Sequence, residues 1–575
     1  MSNYIVSPMS IVISEGLFVL AKDRVTQAIR SALETARTQG LINFSGTPAI
    51  DIETPRNKEH GDFSCNIAMA LAREAEMPPR QIAEHVVSSL GANGLIDKTE
   101  IAGPGFINFF LKPTWLHDVV RQIDIEGTAY GQSDAGKGTK VLLEFVSANP
   151  NGPITVASAR GGVIGDTLAR LYELIGAEVG REYYINDAAN STQMINFGKS
   201  VVVRYLQELG QDVSLPEDGY QGDYVTQIAK GILAEDKDKW VDADEETRLT
   251  EFTRRAEAGM ITQQKADLAE FGIEFDRWFS ERSLHDSGLV KNTVDTLDER
   301  GFTYTQDGAV WLRSTNFGDD KDRALVRSSG QPTYIAADAA YHADKFQRGW
   351  NKLVNVWGAD HHGYVSRTKA AVSALGYPAA DLDVIIYQTV RLFSGGELVM
   401  MSKRAGDVIS LTELMKEVGR DVARFFLLMR SHDSPLDFDL ELAKSQSDEN
   451  PVYYVQYASA RISAILRKAE EDGWKVLSAA DADLSLLTAE AEIDLMKKLA
   501  DWPEEIITAA TLHEPHRLAP FAMDLARIFH KFYTDCRVLG DDRKLSEARL
   551  TLVNASKTVL RNLLTTMGVG SPDRM

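Results

Sequence analysis

Between residues 140 and 185 a strand, a turn, a helix and a second strand follow one another, and this pattern constrains the fold most. Residues 140–146 (KVLLEFV) form a short, mostly apolar run, which is typical of a buried parallel strand. After a turn rich in Asn, Pro and Gly, apolar residues recur at helical spacing: Ile164, Leu168, Leu171 and Ile175. Residues 181–185 (REYYI) supply the second strand. The pattern predicts a βαβ unit, whose ligand would lie where the first strand leads into the helix.

The same order recurs near the middle of the chain. Residues 353–357 and 383–387 are predicted strands, and residues 364–375 a predicted helix between them. An acidic stretch from about 190 to 330 separates the two units and is expected to be an insertion. From about residue 411 the chain is predicted to be almost entirely helical. At 575 residues it exceeds the size at which one core stops growing, so several domains are expected.

The N-terminal region differs from these units. Residues 21–112 mix helical segments with short apolar strands and close on a Gly-Pro-Gly turn at 103–105, which predicts a small α+β domain. Residues 1–20 are an extension without a clear pattern, and residues 113–135 are expected to be a linker.

Composition narrows the class of protein. No run approaches the roughly 20 apolar residues that a membrane span needs. The only cysteines, Cys65 and Cys536, lie far apart, which indicates a reducing, cytoplasmic compartment and excludes a cysteine zinc site. The net charge of −21 is uneven, because residues 516–561 hold nine Lys and Arg against five Asp and Glu. That stretch either binds phosphate backbones or is a solvated helical face of mixed charge.

Three loop motifs stand where a ligand would bind. Residues 149–153 (NPNGP) follow the first strand and, alone, indicate only a tight turn. Residues 400–406 (MMSKRAG) place Lys403 in a loop, where a lysine either clamps a phosphate or is merely solvated. Residues 360–362 (DHH) favour a small-molecule pocket at the carboxyl edge of the sheet, with transition-metal ligands as the alternative.

A further set lies on the helix predicted around residues 452–466. Tyr454, Tyr457 and Arg461 recur at spacings of three and four beside its apolar stripe. They either thicken the core face or form an aromatic and basic platform for unstacked RNA bases.

Taken in order, these segments resemble the arginyl-tRNA synthetase family from about residue 21 to the C-terminus. The matching segments are 61–63 (GDF), 103–109 (GPGFINF), 144–150 (EFVSANP), 184–187 (YIND), 319–323 (DDKDR), 332–338 (PTYIAAD), 357–363 (WGADHHG) and 449–457 (ENPVYYVQY). The resemblance implies an α/β Rossmann-type catalytic core with insertions over 136–448. It also implies an N-terminal α+β additional tRNA-binding domain over 21–112 and a C-terminal all-α anticodon-binding domain over 449–575.

The resemblance assigns the arginine-binding roles. A guanidinium needs planar acceptors, and this task falls to Asp338, with Tyr334 beside it. Glu144 and Asn149 would fix the backbone end of arginine. His361 would supply a further polar contact.

The catalytic signatures depart from the family pattern. The HIGH-type tetrapeptide reads TVAS at 155–158, and the KMSK-type reads MMSK at 400–403. The catalytic positions are therefore Thr155, Ser158, Ser402 and Lys403. The positions that border ATP are Ala157, Gly358, Asp360 and Lys403. Hydroxyls can donate one hydrogen bond but cannot become cationic. A helix N-terminus facing the phosphates could compensate in part, together with Mg²⁺, Lys403 and either Arg160 or Arg404.

The resemblance implies ATP-dependent ligation of L-arginine to its cognate tRNA through an arginyl-adenylate. ATP and Mg²⁺ would be the cofactors, with no metal held by protein ligands. The tRNA would be contacted by Tyr454, Tyr457 and Arg461, and a cytoplasmic monomer is expected. The alternative is a catalytically degenerate paralog that binds arginine or tRNA without activating the amino acid.

Overall fold

The computed structural model describes residues 21–55, 57–187, 192–399 and 409–575, which form two compact units. One unit holds the described residues up to Tyr130 together with Ile462–Trp502 and Ile528–Val559. The other holds Gly131–Arg461, Pro503–Arg527 and Leu560–Met575. The segment 449–575, predicted to be one domain, therefore contributes residues to both units. Its long helices each cross a unit boundary in sequence, which no local pattern reveals.

The N-terminal region is a small α+β arrangement, as predicted. Its elements are α1 (Ala21–Thr38), β1 (Ile52–Glu53), β2 (Phe63–Cys65), α2 (Ile67–Leu71), α3 (Pro79–Ser89), β3 (Ile96–Ala102) and β4 (Phe106–Leu111). The four strands pair antiparallel in the order β1-β2-β4-β3. Cys65, Ile107 and Phe109 are buried in this sheet.

The predicted linker is partly wrong. Helix α4 (Thr114–Glu126) fills the first half of residues 113–135 and buries Trp115, Leu116, Val120 and Ile123. Beyond it, the Tyr130 hydroxyl donates to the carbonyl of Leu499 at 3.0 Å within the same unit. The linker was predicted from the polar stretch after residue 126. The apolar face of α4, which precedes that stretch, indicates a packed helix instead.

The second unit is built on a parallel sheet. Its elements up to the last sheet strand are β5 (Lys140–Glu144), α5 (Val156–Leu174), β6 (Glu178–Ile185), α6 (Thr192–Glu208), α7 (Asp223–Asp236), α8 (Glu245–Glu270), β7 (Arg277–Ser280), α9 (Glu281–Asp286), α10 (Leu289–Glu299), β8 (Thr303–Gln306), β9 (Ala309–Leu312), β10 (Arg323–Val326), α11 (Tyr334–Gln347), β11 (Lys352–Gly358), α12 (Val365–Ala374) and β12 (Leu382–Tyr387). The sheet order is β12-β11-β5-β6-β7, and every pairing is parallel. Both predicted βαβ units are present, and the Rossmann-type fold class is confirmed.

Helix α5 lies very close to the sheet because it carries glycines on the packed face. A Cβ at Gly161 would come within 2.6 Å of the Tyr387 ring, and one at Gly165 within 2.2 Å of Phe145. Side chains larger than hydrogen at these two positions would push the helix away from β5 and β12. The close approach fixes the N-terminus of α5 at the carboxyl edge of the sheet.

The segment predicted to be an insertion returns to the sheet. Strand β7, inside the range 190–330, pairs with β6 and forms one edge. This four-residue segment, Arg-Trp-Phe-Ser, is too short, and mixes polar and apolar residues too closely, for its sequence to predict a buried strand. Helices α6, α7 and α8 share their own apolar core, which includes Phe197, Tyr205 and Phe252. Strands β8–β10 form a separate antiparallel sheet.

The remaining elements are mostly helical, as predicted after residue 411. They are β13 (Val390–Ser394), β14 (Glu397–Leu398), α13 (Leu411–Val418), α14 (Arg420–Leu428), β15 (Leu436–Asp439), α15 (Leu440–Lys444), α16 (Pro451–Glu471), α17 (Glu490–Ala500), α18 (Trp502–Thr511), α19 (Leu518–Asp535) and α20 (Arg543–Met567). The exception is β15, which pairs parallel with β13. Across the described ranges, no helix has the length and apolar character that crossing a membrane requires.

Candidate active site

A row of polar side chains crosses the middle of the parallel sheet. The pairing register places Glu144 of β5 opposite Asn355 of β11 on one side and Glu182 of β6 on the other. All three residues are buried. Because neighbouring residues in register point to the same face, the three side chains stand side by side. They form a polar row in an otherwise apolar sheet.

Helix α11 lies over this row and supplies the matching charges. Lys345 Nζ donates to Glu144 Oε2 at 2.6 Å and to Asn355 Oδ1 at 3.2 Å. Arg348 Nη2 lies 2.8 Å from Glu182 Oε2, and the Tyr341 hydroxyl donates to Glu182 Oε1 at 2.8 Å. Each carboxylate of the row therefore has a cationic partner, as buried charges require.

The row extends to the backbone of Asp338 through His342. Asn355 Nδ2 donates to His342 Nε2 at 2.8 Å, and His342 Nδ1 lies 2.8 Å from the carbonyl oxygen of Asp338. An accepting Nε2 makes Nδ1 the donor, so the imidazole is neutral. Burial and the nearby Lys345 lower the pKa of His342 to about 3, which keeps it neutral at physiological pH.

Two further carboxylates, those of Asp338 and Glu281, lie near each other, and the charges of Lys345 and Arg367 act on Asp338 without pairing with it. Neither forms an ion pair with any residue in the described part of the chain, and the Tyr184 hydroxyl is hydrogen-bonded to Glu281. Burial, then the charges of Glu144 and Glu281, raise the pKa of Asp338 to about 7. Burial also raises the pKa of Glu281 to about 7. Two neighbouring acids with raised pKa values are a feature that occurs often at functional sites.

The strand end that carries Glu144 is strained. Val146 and Ser147 directly after β5 have φ values of 66° and 40°, which non-glycine residues rarely adopt. The turn brings Ser147 Oγ within 3.2 Å of Glu144 Oε1, while the Tyr184 amide donates to Ser147 Oγ at 3.1 Å. Such outliers persist where the surroundings hold them, often at functional sites.

The other predicted arginine contacts lie at the start of α11 and in the segments that follow β5 and β11. Tyr334 is the first residue of α11, one turn before Asp338, and its side chain is exposed. The Asn149 side chain donates to Gln193 Oε1 at 3.0 Å and accepts from Asn186 Nδ2 at 3.2 Å. His361 lies on the short 3₁₀ helix Ala359–Tyr364 after β11 and is half exposed.

The altered HIGH-type segment forms the start of α5. Thr155 is the N-cap residue, and its Oγ1 accepts from the Ser158 amide at 3.1 Å. The two hydroxyls also lie 3.0 Å apart, so one donates to the other. Only one hydroxyl proton of the pair therefore remains for a ligand. Thr155, predicted solely as a catalytic donor, also caps the helix.

Two predicted ATP neighbours lie at the end of β11. A Cβ on Gly358 would come within 2.7 Å of Asp360 Oδ1, so glycine keeps this strand end open. The Asp360 side chain is 82% exposed and lies 3.5 Å from His361 Nε2. Both residues stand at the carboxyl edge, where ligands of such sheets bind.

Arg160 was expected to help hold phosphates, and the structure corrects this. Its guanidinium is buried and donates to the carbonyl oxygens of Gln388, Ser434 and Ser431 at 2.8, 2.9 and 2.8 Å. Burial lowers the pKa of Arg160 to about 10. The residue fastens α5 to two chain segments distant in sequence, which the local pattern does not reveal.

Ser402, Lys403 and Arg404 lie outside the described residues. The chain resumes beside the altered signature, because Ser410 forms an antiparallel bridge with Thr155 and the Leu411 amide donates to the carbonyl of Ile154 at 2.8 Å. Ser410 then caps α13 in a capping box with Glu413.

The tyrosine and arginine set on α16 lies at the margin of the core. Its apolar neighbours Val455, Ala458 and Ile462 are buried, as predicted. Tyr454, Tyr457 and Arg461 are half buried. The Arg461 guanidinium lies 4.7 Å from the centre of the Tyr457 ring and donates to its hydroxyl.

The described ranges contain no group of three or more His, Cys, Asp or Glu side chains placed to hold a metal ion. Asp360, His361 and His362 therefore gain no further ligand from this part of the chain. Cys65 and Cys536 are buried free cysteines.

Comparisons with known proteins cover almost the whole chain. Three family models match: "Arginyl tRNA synthetase N terminal domain" over residues 23–111, "tRNA synthetases class I (R), catalytic domain" over 119–437 and "DALR anticodon binding domain" over 455–575. Two curated relatives, each called arginine–tRNA ligase, come from Heliobacterium modesticaldum and Desulforamulus reducens. The first is 49% identical, covering 96% of this chain and 98% of its own. The second is 47% identical, covering 98% and 100%.

Solved structures agree with these matches. A putative arginyl-tRNA synthetase from Campylobacter jejuni is 33% identical, with a TM-score of 0.75 over 81% of this chain and 100% of its own. The Thermus thermophilus arginyl-tRNA synthetase, 21% identical, shares the fold with a TM-score of 0.74 over 96% of this chain and 100% of its own. Ordered family matches and near-complete coverage lead to one conclusion, which confirms the resemblance: the chain belongs to the arginyl-tRNA synthetase family.

Proposed function

We propose that this chain uses ATP to convert L-arginine to an arginyl-adenylate and then transfers arginine to its cognate tRNA. One observation carries the proposal beyond family membership. The carboxylates of Asp338 and Glu281 form no ion pair with any side chain in the described part of the chain. They are close enough for the charge of Glu281 to raise the pKa of Asp338. A guanidinium, planar and always charged, matches two such acceptors better than an ammonium does.

Within that space each end of arginine has candidate partners. Asp338 would accept two parallel N–H bonds from the guanidinium, with Glu281 on a second edge and Tyr334 at the rim. Glu144, held by Lys345, and Asn149 would accept from the α-amino group. His361 would contact the bound substrate from the 3₁₀ helix after β11.

The activation step places the remaining predicted residues around ATP. An oxygen of the arginine carboxylate attacks the α-phosphorus, a P–O bond forms, and the bond to the bridging oxygen breaks as pyrophosphate leaves. Catalysis rests on alignment and on donors for the developing charge. The start of α5, with Thr155, Ala157 and Ser158, would supply donors together with Ser402 and Lys403. Gly358 and Asp360 would border the nucleotide.

Mg²⁺ fits this arrangement as a partner of ATP. Its preferred ligands are oxygens of phosphate and water, with few protein groups, so it would be held mainly by the nucleotide. When bound, it would neutralise phosphate charge.

We assign tRNA contact to the α16 set. Half-buried tyrosines beside an arginine can stack unpaired bases, and the DALR match covers Tyr457 and Arg461. The basic stretch 516–561 supports this less, because its charges are partly neutralised. Ion pairs there include Arg517–Glu505, Arg527–Asp524, Lys531–Asp535, Arg543–Glu547 and Arg549–Glu492.

A degenerate paralog is the rival, because the HIGH-type histidines are absent. Against it, a protein that only bound RNA would have no use for two neighbouring carboxylates without an ion pair, the buried Glu281 and the partly buried Asp338, since such groups are costly to keep. We further propose a cytoplasmic monomer, on the evidence of the two free buried cysteines and the resemblance.

The deciding experiment measures labelled arginine attached to arginine tRNA by the full chain, with ATP and Mg²⁺. Charging should require both ATP and tRNA. Unlabelled arginine should compete, whereas citrulline, which has the same shape without the charge, should not. Binding of arginine and tRNA without charging, and without ATP–pyrophosphate exchange, would establish the paralog instead.

A further inference from the structure

Around the polar row and α11, carboxylates outnumber the cations that pair with them. Four carboxylates converge near the carboxyl ends of β5, β6 and β7 or on α11: Glu144, Glu182, Glu281 and Asp338. Two cations of α11 form ion pairs with two of them: Lys345 pairs with Glu144, and Arg348 pairs with Glu182. The pairing leaves Asp338 and Glu281 for a ligand.

We infer that Lys345 is a positioning residue for arginine, whose ammonium fixes the Glu144 carboxylate and thereby reserves Asp338 and Glu281 for the substrate guanidinium. The inference rests on the proposed function. Lys345 connects two of the four carboxylates, because it pairs with Glu144 and its charge also acts on Asp338, which lies on the same face of α11.

The Lys345 side chain is held in one conformation by the groups around it. Its side chain is fully buried, with Glu144 Oε2 at 2.6 Å, Asn355 Oδ1 at 3.2 Å and the Tyr341 ring centre 4.0 Å from its Nζ. A free lysine would carry several rotamers, whereas this one is held by an anion, an amide oxygen and an aromatic face. The Glu144 carboxylate is held equally, because Ser147 donates to its other oxygen.

The charge of Lys345 also acts on Asp338. The groups that face Asp338 are Glu144 and Glu281, which raise its pKa, and Lys345 and Arg367, which lower it. Removing Lys345 would raise the pKa of Asp338 further. Because only the ionised carboxylate pairs strongly with a guanidinium, arginine binding weakens as pH falls through this pKa. Without Lys345 that weakening would begin at higher pH.

The test uses tRNA-dependent ATP–pyrophosphate exchange by the full chain across roughly pH 6 to 9. In the wild type the KM for arginine should rise as the pH drops below about 7. Lys345→Met, which keeps the length and removes the charge, should raise that KM roughly tenfold at neutral pH and move the rise to higher pH. The KM for ATP should stay within about twofold.

A charge-balanced variant guards against misfolding. Lys345→Met combined with Glu144→Gln removes one charge of each sign and should fold. It should keep the wild-type position of the pH-dependent rise, but with a higher KM for arginine at every pH, because the fixed carboxylate is gone. Wild-type KM values in this double variant would overturn the inference.

Arg424→Met is the matched control, since it breaks another buried ion pair of the same unit, that with Asp166, which is not among the groups acting on Asp338. It should lower the melting temperature and leave the pH dependence unchanged. A folded Lys345→Met variant with the wild-type pH dependence and KM would refute the role of Lys345. A wild-type chain without arginine-dependent exchange would refute the proposed function instead.

Discussion

The proposed arginine pocket and the altered HIGH-type segment at the start of α5 belong to one sheet and its helices, yet they are built differently. The proposed pocket contains side-chain carboxylates, of which Glu144 is fixed by a buried network from β11 through α11. The signature holds two small hydroxyls that bond to each other and to the first turn of α5. The first region is therefore built from charged side chains, and the second from the backbone geometry of a helix start.

The difference follows from what each region must recognise. A guanidinium is distinguished from other cations only by placed acceptors, so the pocket cannot lose its carboxylates and remain selective. Phosphate charge can be met by several donors, including amides at a helix start, Mg²⁺ and lysine. We therefore expect substitutions to be least tolerated in the pocket, and the following changes test that ranking.

The largest effect is expected for Asp338→Ala. The guanidinium loses its bidentate partner, which contributes roughly 1.5–3 kcal/mol, so the KM for arginine should rise about 10- to 100-fold. The KM for ATP should hardly change. Exchange kinetics with each substrate varied in turn measure both, and equal effects would mean that the pocket is misplaced.

Glu281→Gln should have a smaller effect on the arginine KM and a distinct pH signature. Glu281 raises the pKa of Asp338, so removing its charge lowers that pKa. The rise in KM on acidification should then begin at lower pH than in the wild type, opposite to the shift expected for Lys345→Met. An unchanged pH dependence would exclude Glu281 from the pocket.

The signature can be tested by Thr155→His combined with Ser158→His. Imidazoles can donate to the transferring phosphate, so we expect the exchange rate to be retained or raised. The loss of the Thr155 cap should lower stability by about 0.5–2 kcal/mol. Thermal unfolding and tRNA-dependent exchange measure the two effects. Collapse of activity in a folded variant would show that the pocket is shaped around the hydroxyls.

Arg461→Ala serves as a reference outside both regions. The loss of one charge-assisted contact should weaken tRNA binding several-fold and flatten its salt dependence, while the KM values for arginine and ATP stay unchanged. Filter binding over a salt series measures this. A loss of several kcal/mol in stability with normal RNA affinity would assign Arg461, stacked on Tyr457, to the core face.

The smallest effect is expected for removal of the first 18 residues, which carry no periodic apolar face and precede the family match at residue 23. Melting temperature and charging should both be unchanged. A marked drop in melting temperature would show that the extension is part of the fold.

Much of the fold could be predicted because its signals are local. The apolar run at 140–146 and the spacing from Ile164 to Ile175 gave β5 and α5 directly. Strand β7 could not be found this way, since four mixed residues form a strand only by pairing with β6. Helix α4 was missed because the polar stretch after it outweighed its apolar face.

The candidate site shows the same contrast between residues with a signal in the sequence and residues placed only by long-range contacts. Asp338 and Glu144 were predicted from the resemblance, and in the structure they are close enough for the charge of Glu144 to raise the pKa of Asp338. Glu281 carries no local signal, because its neighbour Asp338 lies 57 positions later in the chain. Arg160 was misassigned for the same reason, since its carbonyl partners belong to segments more than 200 residues away.

The Thr155 cap has a consequence for how this lineage can change. Once α5 depends on a hydroxyl at its first position, a single replacement by histidine removes the cap immediately and restores only one of two donors. An intermediate of that kind is less stable without yet being faster, and proteins tolerate little loss of stability. The altered signature is thereby tied to the stability of the helix, and we expect histidine at position 155 to be better tolerated where another substitution first stabilises the start of α5.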